Sequence, residues 1–309
     1  MSGLFRIFTH VIFPVLFVIA TGFFLQKKFK FDFATLTKPL FYVLSPCLIF
    51  TRVYEAPLPL RQYGLFTLFT IGLIAVMGAL AFGVSMFRGF TPSMRSAFIL
   101  SIMLANLGNY GIPVIELLFN DSYATSIQVM VMISQGIITF TFGMFFASRG
   151  QLTFKESVKR TLSYPIIYAI IVSFIFKGFQ IPIWEPMWIT MQRISYAFIP
   201  IALFTLGAQL GRIHLTKGMG DVIISAGCRL ILGPCIGFCL IKLFNFHGLV
   251  AQVLFISSSL PSAVNSALVA VEMNNEPKFA SQAVFFSTLL SFATVSLTIF
   301  VAKNWGALL

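Results

Sequence analysis

The chain has 309 residues, of which 58% are hydrophobic and only 10% are charged, and its mean hydropathy is +0.93. A soluble domain of this length could not bury so many apolar side chains, so the composition excludes a water-soluble protein. The formal net charge of +12 does not indicate nucleic-acid binding, because the Lys and Arg residues do not cluster on a soluble segment. The sequence therefore predicts an integral membrane protein surrounded by lipid.

Charged and turn-forming residues divide the chain into apolar stretches, and stretches of roughly 20 residues cross a bilayer as helices. We therefore predict an all-α fold with ten transmembrane spans. Their approximate bounds are 5–25, 36–53, 63–87, 93–119, 122–148, 157–176, 187–210, 219–243, 247–273 and 278–303.

The basic residues predict the orientation of these spans. Thirteen Lys and Arg residues follow the odd-numbered spans, seven lie on the opposite side or at the termini, and Arg229 lies within span 8. Cytoplasmic loops carry the excess of basic residues. We therefore expect a multi-pass protein of the plasma or inner membrane with both termini on the extracytoplasmic side.

Segments of the first half of the chain recur in the second half at a nearly constant offset. The stretch "YVLSPCLIFT" (42–51) matches "YAFIPIALFT" (196–205), an offset of 154, and Pro14 aligns with Pro165, an offset of 151. These matches indicate that a unit of about 150 residues has been duplicated. Shared apolar composition could produce one such match by chance, but it would not keep the offset nearly constant between matches.

The duplication predicts an inverted repeat, because each unit holds five spans and the second unit must enter the membrane from the opposite face. The two units are residues 1–150 and residues 151–309. Inverted repeats are typical of secondary transporters, which bind their substrate near the middle of the bilayer where two interrupted helices meet.

Span 4 contains a stretch that is unusual for a membrane helix, "ANLGNYGIPV" (105–114). Its Asn, Gly and Pro residues predict an interruption near Gly108 to Pro113. Unpaired backbone groups in hydrocarbon cost several kcal/mol each, so an interruption requires a polar or water-filled surrounding. Asn106 and Asn109 offer side chains to the released backbone groups.

The repeat offset places the matching interruption in span 9, where the sequence reads "SSSLPSAVNSALVAV" (257–271). Pro261 has no N–H to donate, and Ser262 and Asn265 provide polar side chains beside it. A packing kink would explain either Pro alone. Two polar interruptions at repeat-equivalent positions favour a binding site.

A short half-helix is expected to begin near Gly111 and another near Ser262, and the N-terminal end of a helix attracts anions. Gln135, in the middle of span 5, is the polar residue of that span that we expect to reach the same cavity. The candidate substrate-binding residues are Asn106, Asn109, Tyr110, Gly111, Pro113, Pro261, Ser262, Asn265 and Gln135.

Two ionisable residues within the spans leave alternatives open. Glu116 is either a proton-coupling group or a solvated interfacial carboxylate, since only one helical turn separates it from Asn120. Arg229 either extends to the cytoplasmic headgroups or faces protein, where it would add attraction for an anion. Tyr42 and Tyr196 are candidates for the cavity wall. We expect no metal ion and no cofactor, and proton or sodium coupling stays open.

The interrupted segments resemble those of the auxin efflux carrier family of membrane transport proteins, which includes bacterial malate or malonate permeases and the plant PIN carriers. The similar stretches are "NLGNYGIPV" (106–114), "LPSAVNSALVAVEM" (260–273) and "FYVLSPCLIF" (41–50). The family's crossover Asn and Pro of span 4 correspond to Asn106 and Pro113.

This resemblance implies a fold related to bile-acid symporters and sodium/proton antiporters, with spans 4 and 9 crossing. It also implies a scaffold of spans 1, 2, 6 and 7, a transport domain of spans 3–5 and 8–10, elevator-like alternating access and a homodimer formed through the scaffold. The long loop of the PIN carriers is reduced here to about Arg149 to Glu156, so auxin as a substrate is not implied.

The sequence thus predicts a secondary transporter of small organic anions, mono- or dicarboxylates, and not an enzyme. The alternative is a membrane sensor or scaffold that binds a ligand without transporting it. Such proteins usually carry a soluble output domain, and only a few residues follow span 10.

Overall fold

The computed structural model describes residues 3–56, 59–139, 165–213, 219–272 and 275–304, together with Lys155, Lys159 and Leu162. These residues form helices and connecting loops, and the only extended pairing among them is one isolated bridge. The all-α prediction is therefore confirmed.

We number the helices of the main described ranges α1 to α12 along the chain. They are α1 (Gly3–Phe29), α2 (Ala34–Glu55), α3 (Arg61–Phe87), α4 (Pro92–Met103), α5 (Leu107–Phe119), α6 (Ser122–Ile138), α7 (Pro165–Gly178), α8 (Glu185–Gly211), α9 (Gly220–Leu243), α10 (Gly248–Ser258), α11 (Val264–Glu272) and α12 (Pro277–Lys303).

Six of these helices, α1, α2, α3, α8, α9 and α12, are long and apolar enough by length and composition to cross a membrane. Helices α4 and α5 together occupy the predicted span 4, and α10 and α11 together occupy span 9. Helices α6 and α7 cover parts of spans 5 and 6. The other parts of those two spans, and most of the predicted loop from Arg149 to Glu156, lie outside the described residues.

Helices α1 and α8 form the most extensive helix pair, and glycines bring their backbones into contact. A Cβ atom at Gly207 would meet the carbonyl oxygen of Ile19, and a Cβ atom at Gly22 would meet that of Phe204. Gly207 and Gly211 form a GxxxG pattern, which allows close helix approach in membranes. These two helices therefore pack backbone against backbone.

Helix α2 packs on α7 and α8, and polar groups fix its C-terminal end. Lys177 on α7 donates to the carbonyl oxygens of Val53, at 3.0 Å, and Ala56. The Tyr54 hydroxyl donates to the Ile181 carbonyl at 3.1 Å. A cation at the carbonyl end of a helix is stabilising, so α2 is held firmly against α7.

The remaining helices pack mainly on one another, α3 with α4 and α6, α9 with α10 and α12, and α11 with α12. Thr67 on α3 shares a hydrogen bond of 3.0 Å with Ser134 on α6. Arg88 at the end of α3 forms an ion pair of 2.7 Å with Asp221 on α9. By their most extensive contacts, α1, α2, α7 and α8 form a first packing group, and α3–α6 with α9–α12 form a second packing group, which contains the interrupted helices.

Candidate functional site

The interruption of span 4 lies between α4 and α5. Helix α4 ends at Met103, and Leu104 is extended, with φ −103° and ψ 125°. A π-helical turn begins at Leu107, and the regular helix begins at Ile112. The break lies upstream of the expected position near Gly108 to Pro113, because Pro113 falls in the first turn of the regular helix, where its missing N–H costs no hydrogen bond.

The interruption of span 9 follows the same plan. Helix α10 ends at Ser258, four residues from Leu260 to Ala263 have no helical structure, and α11 begins at Val264. Pro261 lies inside this segment, as the sequence predicted. Each of the two predicted helix interruptions is therefore present in the structure.

The two interrupted segments cross and pair in antiparallel fashion. The Asn106 N–H donates to the Pro261 carbonyl at 2.8 Å, and the Ala263 N–H donates to the Leu104 carbonyl at 2.9 Å. These bonds form the isolated bridge between Ala105 and Ser262. Each break thus supplies hydrogen-bond partners to backbone groups of the other, which lowers the free-energy cost of interrupting a helix inside a membrane.

Amide side chains of α6 complete the hydrogen bonding of the first break. Gln135 binds both backbone groups of Ala105: its Oε1 accepts from the N–H at 3.0 Å and its Nε2 donates to the carbonyl at 2.6 Å. Gln128 donates to the Leu107 carbonyl at 2.9 Å and accepts from the Ser257 hydroxyl. The polar residues of this helix therefore support the crossing.

A cavity of about 870 Å³, counting its open mouth, lies beside the crossing. It is lined by the residues that begin the two second half-helices, 107–109 of α5 and 263–265 at α11. The opposite wall includes Phe41 of α2, Ile167 of α7 and Phe198 of α8. The polar side chains that face it belong to Ser45, Asn106, Asn109, Gln135, Thr139 and Asn265.

The cavity carries amide donors but no formal charge, since none of the described residues that line it is acidic, basic or His. Asn106 is 5% exposed, and its Nδ2 has no hydrogen-bond partner among the described residues. A buried donor without a partner loses its hydration and gains nothing in return. This atom is therefore suited to a ligand that accepts hydrogen bonds.

Four of the predicted substrate-binding residues, Asn106, Asn109, Gln135 and Asn265, line this cavity. The other five lie in the packing around the crossing and are buried. These five residues are Tyr110, Gly111, Pro113, Pro261 and Ser262.

The buried residues hold the crossing together. The Ser262 hydroxyl donates to the Ser101 carbonyl at 2.6 Å, and the Tyr110 hydroxyl accepts from Ser291 at 3.2 Å. A Cβ atom at Gly111 would lie 2.6 Å from Leu260 Cδ1 and would also meet Gln128 Nε2, so these side chains, including the amide that donates to Leu107, would have to shift.

The two ionisable candidates lie away from the cavity lining. Arg229 is fully buried and faces protein, where it binds backbone carbonyls of the crossing. Glu116 forms an ion pair of 3.4 Å with Arg52 of α2 and accepts from the Thr125 hydroxyl. Among the described residues, no three of the His, Cys, Asp or Glu type come together as metal ligands would.

The residues by which α2 and α8 line the cavity were not predicted from the sequence. Phe41, Ser45 and Phe198 line it, whereas Tyr42 and Tyr196 are 60% and 53% exposed on the outer surface. The available signal was the hydroxyl of Ser45 beside Pro46, since a polar residue next to a proline in an apolar span rarely faces lipid.

The fold and the site together define a multi-pass all-α membrane protein with a polar cavity at two crossed, interrupted helices. The sequence model of the family described as "Membrane transport protein" matches residues 7–301. The chain therefore belongs to this family of membrane transport proteins, and the recognition made from the sequence is confirmed.

Individual relatives agree with this assignment. An "Uncharacterized transporter" of Methanothermobacter thermautotrophicus is 25% identical, covering 94% of this chain and 96% of its own. An uncharacterized transporter of Methanocaldococcus jannaschii is 27% identical over 68% of this chain and 67% of its own. A "Putative malonate transporter" of Rhizobium meliloti is 24% identical over 86% of both chains.

Proposed function

We propose that the protein carries small organic anions, mono- or dicarboxylates, across the cell membrane and binds them in the cavity beside the crossing. The observation that carries this proposal is the composition of the cavity lining. The first residues of two half-helices and four amide side chains face one space, and one of these amides, Asn106, has an Nδ2 without a partner among the described residues. Helix N-terminal ends and amide donors both favour a carboxylate.

The comparison with relatives supports the substrate class. The relative from Rhizobium meliloti is named for malonate, a dicarboxylate. The uncharged lining accepts a carboxylate through hydrogen bonds alone, because no fixed cation among the described lining residues could form an ion pair with it. We extend the carboxylate class, and not malonate itself, to this chain.

The proposed architecture is ten spans in two inverted repeats, residues 1–150 and 151–309. The antiparallel pairing of the two breaks supports it, because crossed helices related by inversion run in opposite directions. The division of the helices by packing supports a scaffold of α1, α2, α7 and α8 and a transport domain of α3–α6 and α9–α12.

We propose an elevator mechanism, in which the transport domain moves past a scaffold that forms a homodimer in the plasma or inner membrane. The cavity supports this mechanism, because one wall belongs to each proposed domain. Both termini are expected on the extracytoplasmic side. A membrane potential that is negative inside drives an anion outward by about 2.3 kcal/mol per charge per 100 mV. Export then needs no coupling ion, whereas uptake would need protons or sodium.

The test is a screen of carboxylates on proteoliposomes with solid-supported-membrane electrophysiology, with and without sodium and proton gradients. Transported anions give currents whose sign reports the charge moved. The absence of both current and radiolabelled uptake for every carboxylate, in a preparation that is folded and correctly sized, would contradict the proposed substrate class.

Substitution of the cavity amides tests the site. We expect Asn109→Ala and Asn265→Ala to weaken carboxylate binding by about tenfold to a hundredfold, since a hydrogen bond to a charged group contributes about 1.5–3 kcal/mol. The matched control is Asn304→Ala, because that side chain lies outside the cavity lining and bonds its own helix end, at Phe300. Unchanged binding and transport in both cavity variants would remove the site assignment.

A further inference from the structure

Arg229 is the largest fully buried side chain among the described residues, and it has no acidic partner there. Its guanidinium donates to three backbone carbonyls instead: Nε to Leu260 at 2.9 Å, Nη1 to Ile102 at 3.1 Å and Nη2 to Ser258 at 2.8 Å. A buried charge without a counter-charge is costly in a membrane, so these carbonyls must compensate it.

The three carbonyls belong to the ends of the two first half-helices. Ile102 lies in the last turn of α4, Ser258 is the last residue of α10, and Leu260 follows in the break. The C-terminal end of a helix carries about half an elementary negative charge. Two such ends meet here, so their combined negative charge is about equal in magnitude and opposite in sign to that of one guanidinium.

The local sequence of α9 brings the Arg229 guanidinium close to the half-helix ends. Arg229 lies in a π-helical turn, Cys228–Leu232, directly before Gly233 and Pro234. A Cβ atom at Gly233 would meet the Ser258 carbonyl oxygen and lie 3.5 Å from Arg229 Cζ. Glycine therefore brings α9 close enough for the arginine to reach both half-helix ends.

The crossing thus has two ends of opposite partial charge: a positive end formed by half-helix N-termini, and a negative end formed by half-helix C-termini, which we call the carbonyl pole. The cavity lies at the N-terminal ends of α5 and α11, whereas Arg229 lies at the C-terminal ends of α4 and α10 and is absent from the cavity lining. In transporters with interrupted helices, unwound carbonyls and half-helix C-terminal ends are the groups that coordinate a coupling sodium ion. In this protein a guanidinium occupies that pole.

We propose that Arg229 is a built-in cation of the crossing, which takes the place of a coupling sodium ion at the carbonyl pole. It acts as a positioning residue: it balances the charge of the half-helix ends and holds them together without contacting the transported anion. The carrier therefore moves its anion without sodium. This inference rests on the proposed function only for the transport measurement, since the charge balance itself is a property of the fold.

The first experiment needs no substrate. We expect Arg229→Ala to lower the melting temperature of the purified protein by several degrees and millimolar guanidinium chloride to restore it. The same salt should leave the wild type and Gly83→Ala unchanged, because Gly83 faces open space. Arg229→Lys should stay near the wild type, whereas the neutral Arg229→Gln should lose stability. A Gln variant as stable as the wild type, or no response of the Ala variant to guanidinium, would overturn the proposal.

The second experiment measures currents on proteoliposomes with malonate, malate, succinate and acetate while N-methyl-D-glucamine replaces sodium. We expect the wild-type current to be unchanged by the replacement. A wild-type current that requires sodium would overturn the proposal and leave the proposed function intact. No current with any of the four anions would count against the proposed function alone, and the stability measurements would still decide the role of Arg229. If the Ala variant does not fold, the comparison of the Lys and Gln variants still decides the stability measurement, and the sodium measurement needs only the wild type.

Discussion

At the scale of single residues, the ion pair between Arg52 and Glu116 connects α2 to the half-helix after the first break. The Arg52 side chain is 8% exposed and that of Glu116 is 21% exposed. Arg52 Nη1 also donates to the Ser122 hydroxyl at 3.0 Å. Glu116 therefore has a fixed counter-charge on a neighbouring helix, which neither alternative considered from the sequence had included.

Removing one member of this pair should cost more than removing both. We expect Glu116→Gln to destabilise the protein by about 1–3 kcal/mol, less than for a fully buried pair because Glu116 retains some solvent contact. The double variant Arg52→Met with Glu116→Leu should be more stable than either Arg52→Met or Glu116→Leu alone, because the double variant leaves no unpaired charge behind. Melting temperatures in a double-mutant cycle measure this, and strictly additive effects would show that the pair contributes nothing.

At the scale of helical elements, each π-helical turn that lies completely within the described residues directly precedes a residue followed by proline. The four turns are Phe8–Ile12, Leu40–Leu44, Leu107–Gly111 and Cys228–Leu232, before Pro14, Pro46, Pro113 and Pro234. Proline lacks an N–H and its ring clashes with the carbonyl four residues earlier. A wider turn relieves that clash, so these helices continue through their prolines. Pro200 lies inside α8 without such a turn.

The contact between α1 and α8 depends on glycine, and a single methyl group tests it. A Cβ atom at Gly207 would meet the Ile19 carbonyl oxygen and lie 3.0 Å from Ile19 Cα, and backbone atoms cannot move aside as a side chain can. We expect Gly207→Ala to cost at least about 1–3 kcal/mol, which is typical of overpacking.

The matched control is Gly83→Ala in α3, where the added Cβ meets no atom within 4 Å. Alanine is the better helix former by about 0.5–1 kcal/mol, so this variant should keep or raise the melting temperature. Thermal unfolding followed by size-exclusion chromatography compares the two. Equal stability of both variants would contradict the backbone contact.

At the scale of the whole molecule, an elevator requires the contacts between the two helix groups to break while those within each group persist. Tyr63 on α3 and Phe174 on α7 belong to different groups, and their ring centroids are 5.1 Å apart. Thr67 on α3 and Ser134 on α6 belong to the same group, with their hydroxyl oxygens 3.0 Å apart.

These two pairs give a cross-linking test of domain movement. In a background without the native cysteines at 47, 228, 235 and 239, mercury should bridge Tyr63→Cys with Phe174→Cys and stop transport, and a thiol should restore it. The bridge between Thr67→Cys and Ser134→Cys should leave the transport rate nearly unchanged. Normal transport by the first cross-linked pair would mean that the two groups do not move past each other.

The membrane class and the positions of the interrupted helices could be predicted from the sequence, because both depend on short local stretches of residues. Apolar runs of bilayer length identify the membrane class, and Pro, Gly and Asn within two of them locate the interrupted helices to within a few residues. The family resemblance rests on the same short segments. Each of these signals depends on neighbouring residues and is legible without knowing how the helices pack.

The partners of the buried charges and the composition of the cavity were decided by tertiary structure alone. Arg229 binds carbonyls 29, 31 and 127 residues away, and Arg52 meets Glu116 across 64 residues. Such contacts depend on which faces of distant helices meet, and the hydropathy along the chain does not identify the partner of each face. For the same reason Phe41 and Ser45, and not Tyr42, face the cavity: adjacent residues on a helix point about 100° apart.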